Sequence, residues 1–267
     1  MRNVLENGVF HAATQLYGIT FKERTDIPTY HDGMKVYEVF DHDGKSMALF
    51  YTDYFKRDNK GGGAWMSNFV DQSKLNGTKP VIYNVANFTK PAPGQPALLS
   101  YDDVITMFHE FGHALHGMFA DQEYPSLSGT NTARDFVEFP SQFNEHWVSD
   151  PKVFSHFAKH YQTGEAMPQE LVDKIKKADK FNKGYSMTEL LSAALLDMHW
   201  HMLTADQPQQ GPRSGQQGVE GELLRLARVP VEPRHQLAGL PLRPPGRGAS
   251  QHRPRQRRAQ VREHGDR

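Results

Sequence analysis

Residues 101–120 read YDDVITMFHEFGHALHGMFA, and the rest of the chain is arranged around them. They contain His109-Glu110-Phe111-Gly112-His113, an H-E-x-x-H match. On a helix, positions four apart share a face one turn apart, so His109 and His113 can offer imidazole nitrogens to one ion, with Glu110 on the same turn. Two imidazoles and one further protein ligand leave a zinc ion a fourth position for water, whose pKa falls to about 7 there. Glu110 is then the candidate base. His116 continues the histidine strip, but its Cα lies about 10 Å along the axis from that of His109, too far for one ion to be held by all three. The longer pattern H-E-x-x-H-x-x-G-x-x-H fails too, since His116 stands where its glycine should be and Phe119 where its third histidine should be. The third ligand is therefore expected on another element.

The helix carrying the motif is well signalled. Ser100 followed by Asp103 has the form of a capping box, and Asp102 and Asp103 suit the positive end of a helix, which predicts a start near Ser100. Val104, Ile105, Phe108, Phe111, Leu115, Met118 and Phe119 recur at three- and four-residue steps and mark a wide buried stripe, with the histidines beside it. Gly112 costs roughly 1 kcal/mol relative to alanine in mid-helix. Something is expected to approach the backbone there, either a neighbouring helix or a bound peptide.

With 37% hydrophobic residues and 29 aromatics, the 267-residue chain has ample material for a core. No apolar run approaches the length of a membrane span and the N-terminus MRNVLENGVF has no apolar signal core, so the expected compartment is the cytoplasm. The absence of cysteine excludes disulfides and thiolate ligands, leaving His, Asp and Glu to hold any metal. The formal net charge of zero conceals a division: residues 208–267 hold 12 Arg against 5 acids, whereas the first 207 carry 19 bases against 26 acids. Two domains are expected, a body at 1–207 and an Arg/Pro/Gly/Gln-rich tail at 208–267.

Along the body, the pattern predicts a helix over 3–17 ended by Gly18, a short strand at 19–23, and an antiparallel hairpin of 35–41 and 46–54 turning at Asp43-Gly44. Gly61-Gly62-Gly63 reads as a flexible loop before Ala64-Trp65-Met66, or as a flap over a cleft. Residues 79–88 read as a third strand; at a sheet edge it could pair with an extended peptide, and in the sheet interior it could not. A turn-like loop over 121–131 precedes a helical stretch at 135–147 that holds two acids able to serve as third ligand. Glu138 falls 25 residues after His113, and Glu145 sits in Asn144-Glu145, similar to the pair that supplies the zinc-binding glutamate in thermolysin-like enzymes. Spacing alone leaves both open. Helices are expected over 151–160 and 168–182, the latter with a solvated lysine face, and a long buried helix over 186–204 capped by Ser186 and Glu189. His199 and His201 lie two apart on it and point to different faces, which argues against a second metal site.

His109 to His116, Ser128-Gly129-Thr130, and Asp135-Phe136-Val137-Glu138-Phe139-Pro140-Ser141-Gln142 together resemble the thimet-oligopeptidase-like zinc peptidases. Within that family, RTDIPTYH, KPVIYNVANFTKPAPGQPALLSYDDV and YPSLSGTNTARDFVEFPSQFNEHW are most similar to its bacterial peptidyl-dipeptidase branch. The resemblance spans about residues 3–205. It implies a mainly helical α+β, zincin-like fold with a small antiparallel sheet and a deep channel. It also implies one zinc ion on His109, His113 and Glu138, with Glu110 as base, and so chooses between the two acids. The implied activity is release of dipeptides from the free C-termini of short unstructured peptides, with neither membrane nor nucleic acid as partner. Internal cleavage by an oligopeptidase of the same family is the alternative.

Family members are longer, and this chain begins where their second half would be. They also continue with a segment rich in glycine and tyrosine, whereas residues 208–267 contain no Lys, Phe, Tyr, Trp or Met. Such a composition forms no core, and disorder is expected. The switch from lysine to arginine suggests a shifted reading frame from about Pro208. The competing reading is an inactive zinc-binding fragment whose basic tail binds nucleic acid. A chain lacking the oxyanion donors of that segment is expected to be an impaired catalyst, since one such donor is typically worth 10²–10³-fold in rate.

Overall fold

The computed structural model describes residues 1–207, so the expectations for 208–267 lie outside the described residues. The chain divides into two compact units, Met1–Phe181 and Asn182–Arg267.

In the first unit, the expected N-terminal helix forms as α1 (Arg2–Val4), a π-helical segment Leu5–Phe10 and α2 (His11–Tyr17), and Gly18 ends it at φ +73°. Five strands follow: β1 (Thr20–Glu23), β2 (Lys35–Phe40), β3 (Ser46–Phe55), β4 (Trp65–Val70) and β5 (Val81–Phe88), in the spatial order β1-β2-β3-β5-β4. The β2–β3 hairpin turns where Asp43-Gly44 predicts, with Gly44 at φ +78° and Lys45 N–H bonded to Asp43 Oδ1 at 2.9 Å. The sheet is small and antiparallel except where β3 and β5 run parallel. That exception arises because the chain passes β3's free edge to lay down β4, then returns to fill the gap with β5. The third strand expected at 79–88 is thus interior, and the edge belongs to β4, a strand that the glycines before it disguise as loop.

Across the sheet lies α3 (Tyr101–Met118), starting as expected, with Ser100 Oγ accepting from Asp103 N–H at 3.1 Å and Asp103 Oδ2 accepting from Ser100 N–H at 3.0 Å. Its buried stripe includes Val104, Phe108, Phe111, Leu115 and Met118, whereas Ile105 is half-buried. Phe119 departs from the expectation: it is 42% exposed, because the helix stops at Met118 and the backbone turns its ring onto Tyr17, 5.1 Å away. Phe111 meets Phe10 and Phe50 at ring-centroid distances of 5.7 and 5.4 Å, joining α3 to the N-terminal helix and the sheet. Each such fully buried ring contributes roughly 1.5–3 kcal/mol. Beyond α3 come α4 (Phe139–Glu145), a 3-10 turn His146–Ser149, α5 (Pro151–Phe157), capped by Asp150, and α6 (Gln169–Asp179), exposed as its lysines predict.

The second unit is described through α7 (Lys183–His201). Two expectations fail here. The helix begins three residues before Ser186, whose hydroxyl bonds back to Asn182 O at 3.4 Å instead of capping, and none of its residues is buried. Among the described residues, no helix is long and apolar enough to cross a membrane.

The base of the β3–β4 connection is tied by charge. Asp53, 3% exposed, accepts from Arg57 at 2.6 and 2.7 Å, Lys60 at 3.1 Å and Tyr30 at 3.0 Å. Burial pushes its carboxyl up, but Arg57, Lys60 and Tyr30 outweigh that and hold it below the usual carboxylate range. A depressed folded pKa means that the unfolded chain binds more protons, so this stabilisation is complete above the unfolded value near 3.9 and is lost as pH falls through the folded one. Asp53→Asn is expected to lose about 1–3 kcal/mol at neutral pH. The lower range applies because Lys60 keeps three carbonyl acceptors, on Asp53, Phe55 and Ala86. Urea unfolding at pH 7 and pH 3 checks this: the deficit should shrink at the lower pH, and an equal deficit at both would contradict the charge argument.

Candidate metal centre

On α3, His109 and His113 face the same way, one turn apart, with ring centroids 4.9 Å apart. Between α3 and α4 the chain first makes the expected loop, pinned where Gln72 Oε1 accepts from Gln122 N–H at 2.9 Å and from Ser128 Oγ at 3.2 Å. It then reaches Glu138, the residue immediately before α4. Glu138 Oε2 lies 3.3 Å from His109 Nε2 and 3.0 Å from His113 Nε2. Among the described residues, His109, His113 and Glu138 are the group whose donor atoms converge, all within 4.8 Å of one another. Ligands at about 2.0–2.1 Å from a tetrahedral ion stand about 3.3–3.4 Å apart, so this donor set fits zinc.

Glu145, the other acid open from the sequence, is not in that group. Its Oε1 lies 2.6 Å from the opposite nitrogen of the same imidazole, His109 Nδ1. His116 is also outside it, packed edge-on against Phe136 at 6.1 Å.

Glu110 is buried beside the converging donors, and its Oε2 has no hydrogen-bond partner among the described residues. Burial pushes its carboxyl up to about 7; His109 opposes the shift and the Glu138 carboxylate adds to it. Burial likewise holds His113 below the ordinary histidine value, which keeps the ring neutral and its lone pair free. The cleft that His109, Glu110, His113 and Glu138 line is also lined by Trp65 and Met66 of β4 and by Thr130 and Val137. The sequence predicts a loop or a flap before Ala64-Trp65-Met66 and no strand, because WMSNFV groups its apolar and polar residues in pairs instead of alternating them.

Gly112 resolves as a helix crossing. A Cβ there would stand 2.6 Å from Ser141 Cα and 2.7 Å from Pro140 O, so α4 crosses α3 at backbone contact. Gly112→Ala gains about 1 kcal/mol of helix propensity but meets backbone that cannot yield, at a typical overpacking cost of about 1–3 kcal/mol. Net destabilisation is expected in thermal unfolding, and an unchanged or higher midpoint would show that α4 is not held this closely.

Peptidase family M3 matches residues 1–222. The chain belongs to this family. It is 61% identical over 231 residues to the dipeptidyl carboxypeptidase of Salmonella typhimurium, covering 86% of this chain and 34% of the relative. To the dipeptidyl carboxypeptidase of Escherichia coli it is 63% identical over 210 residues, 79% of this chain and 31% of the relative. Oligopeptidase A of Salmonella typhimurium stands further off, at 40% over 215 residues, 79% of this chain and 31% of that protein. The chain thus spans about a third of the length of the curated relatives it matches. The M3 assignment agrees with the mixed helix-and-sheet architecture and with the His-His-Glu grouping on and beside its motif helix.

Proposed function

We propose that the chain carries the water-activating part of a zinc peptidase that releases dipeptides from the free C-termini of short, unstructured peptides. The observation that carries this reading is the convergence of His109 Nε2, His113 Nε2 and Glu138 Oε2 beside a buried Glu110. His109, His113 and Glu138 hold the ion, and Glu110 is the base. Zinc bound there supplies Lewis acidity, polarising the scissile carbonyl and lowering the pKa of water.

The Glu110 carboxylate accepts the proton that the attacking water gives up as its oxygen bonds to the carbonyl carbon. The same carboxyl then passes that proton to the amine nitrogen as the C–N bond breaks, which leaves a free acid and a free amine. A carboxyl held near neutrality by burial is matched to both halves of this transfer. Among the described residues β4 is an edge strand, and an extended substrate adds to its backbone N–H and C=O groups beside the cleft as a further strand. Dipeptide release is preferred over internal cleavage because identity is higher to the dipeptidyl carboxypeptidases than to oligopeptidase A.

The test gives the zinc-loaded chain an N-blocked peptide and its C-terminal amide, with mass spectrometry of the products. Zinc-dependent loss of a dipeptide from the free acid alone is expected. Equal cutting of the amide would favour internal cleavage, and zinc-independent cutting would sink the mechanism.

A further inference from the structure

We infer that Glu145 and Ser141 of α4 are positioning residues for the metal ligands, Glu145 through His109 and Ser141 through Glu138. The inference rests on the proposal that His109, His113 and Glu138 hold an ion. Both acids left open by the sequence are then in use, at opposite nitrogens of one ring: Glu138 beside Nε2 and Glu145 on Nδ1. An imidazole cannot turn both nitrogens to the same ion, so the carboxylate on Nδ1 is not a ligand of the ion at Nε2.

Its chemistry fixes the ring instead. An ionised carboxylate accepts and cannot donate, so the hydrogen in the 2.6 Å contact belongs to Nδ1, and an ion held at Nε2 takes that nitrogen's lone pair. Such a partner sets tautomer and ring orientation together and makes the ligating nitrogen more basic. One helical turn before Glu145, Ser141 Oγ lies 2.9 Å from Glu138 Oε2, the oxygen that faces both histidines, and 2.9 Å from Glu138 O, so its one hydrogen is shared between the two acceptors. Between the two, Asn144 Nδ2 donates to Phe108 O at 2.7 Å, which together with the close approach at Gly112 fixes α4 on α3. Seven residues of helix therefore contact two of the three donors. His113 differs: its Nδ1 is buried and has no partner among the described residues, so Glu145 acts on His109 alone.

The test uses the 267-residue chain with Glu145→Gln, Glu145→Ala and, for comparison, Glu138→Gln. In the metal-free chain, nitrogen NMR of the rings should find His109 with its proton on Nδ1, and Glu145→Ala should move it toward Nε2 while leaving His113 unchanged. Zinc affinity, read by competition with a chelating dye, should fall about 10-fold for Gln and about 100-fold for Ala. The visible spectrum of the cobalt-substituted chain should keep its coordination in both Glu145 variants and lose it in Glu138→Gln. Unchanged affinity and tautomer would overturn the inference, as would a cobalt spectrum altered as in Glu138→Gln, which would make Glu145 a ligand. Failure of the unsubstituted chain to bind zinc would sink the proposed function, and the tautomer comparison would still decide on Glu145. Circular dichroism guards against misfolding, which is not expected of a side chain that is 35% exposed.

Discussion

Replacing Glu110 by Gln is expected to lower peptide turnover by about 10²–10⁴-fold without changing zinc content. The substitution keeps the shape of a side chain that is 7% exposed, so packing offers little reason for a loss. What it removes is the ability of the carboxyl to take and return a proton. Glu110 stands outside the His109-His113-Glu138 grouping, which is why metal content should not follow activity. Rates on one short free-acid peptide, with metal analysis of the same samples, separate the two effects. A variant retaining more than a tenth of the activity would remove Glu110 from the base's role.

Glu138→Gln is expected to weaken zinc binding by more than about 100-fold, beyond the 10–100-fold typical of a residue that only orients a ligand. Glu138 contributes the single anionic oxygen of the donor set, 3.3 and 3.0 Å from the two imidazole nitrogens. An amide in its place offers a neutral oxygen of the same reach, and a divalent ion surrounded by neutral donors has lost its strongest partner. The carboxylate is also half-exposed, so its removal leaves no buried cavity to confuse metal loss with unfolding. Dialysis against a buffered zinc pool followed by metal analysis reads the result, and full retention of zinc would show the third ligand to be another group.

How far the sequence could be read depended on whether a feature is local. The capping residues Ser100 and Asp103 place the start of α3 near Ser100, and Asp43-Gly44 places the hairpin, because each turn is closed by side chains within four positions of it. Gly112 signalled a close approach, and only the fold shows that α4 makes it. Glu138 and Glu145 stand seven residues apart, about two helical turns, so both fall on the side that faces His109. Which nitrogen each meets depends on the register of α4 against α3 at Gly112, which no spacing within the chain records. The strand order depends on a long-range pairing. β5 lies between β3 and β4 and pairs with both, which makes interior a strand whose place the sequence left open, and β4 brings Trp65 and Met66 to the cleft. The helix α7 misled because its apolar residues occupy much of its circumference, a pattern that normally signals burial.

X-ray absorption at the zinc edge, on the chain loaded with one equivalent of the metal, tests most directly whether His109, His113 and Glu138 bind it. The expected result is one zinc per chain with two imidazole nitrogens at about 2.0–2.1 Å and a carboxylate oxygen at about 2.0–2.2 Å, the oxygen shell changing in Glu138→Gln. Absence of stoichiometric zinc, or a shell that Glu138→Gln leaves untouched, would contradict it.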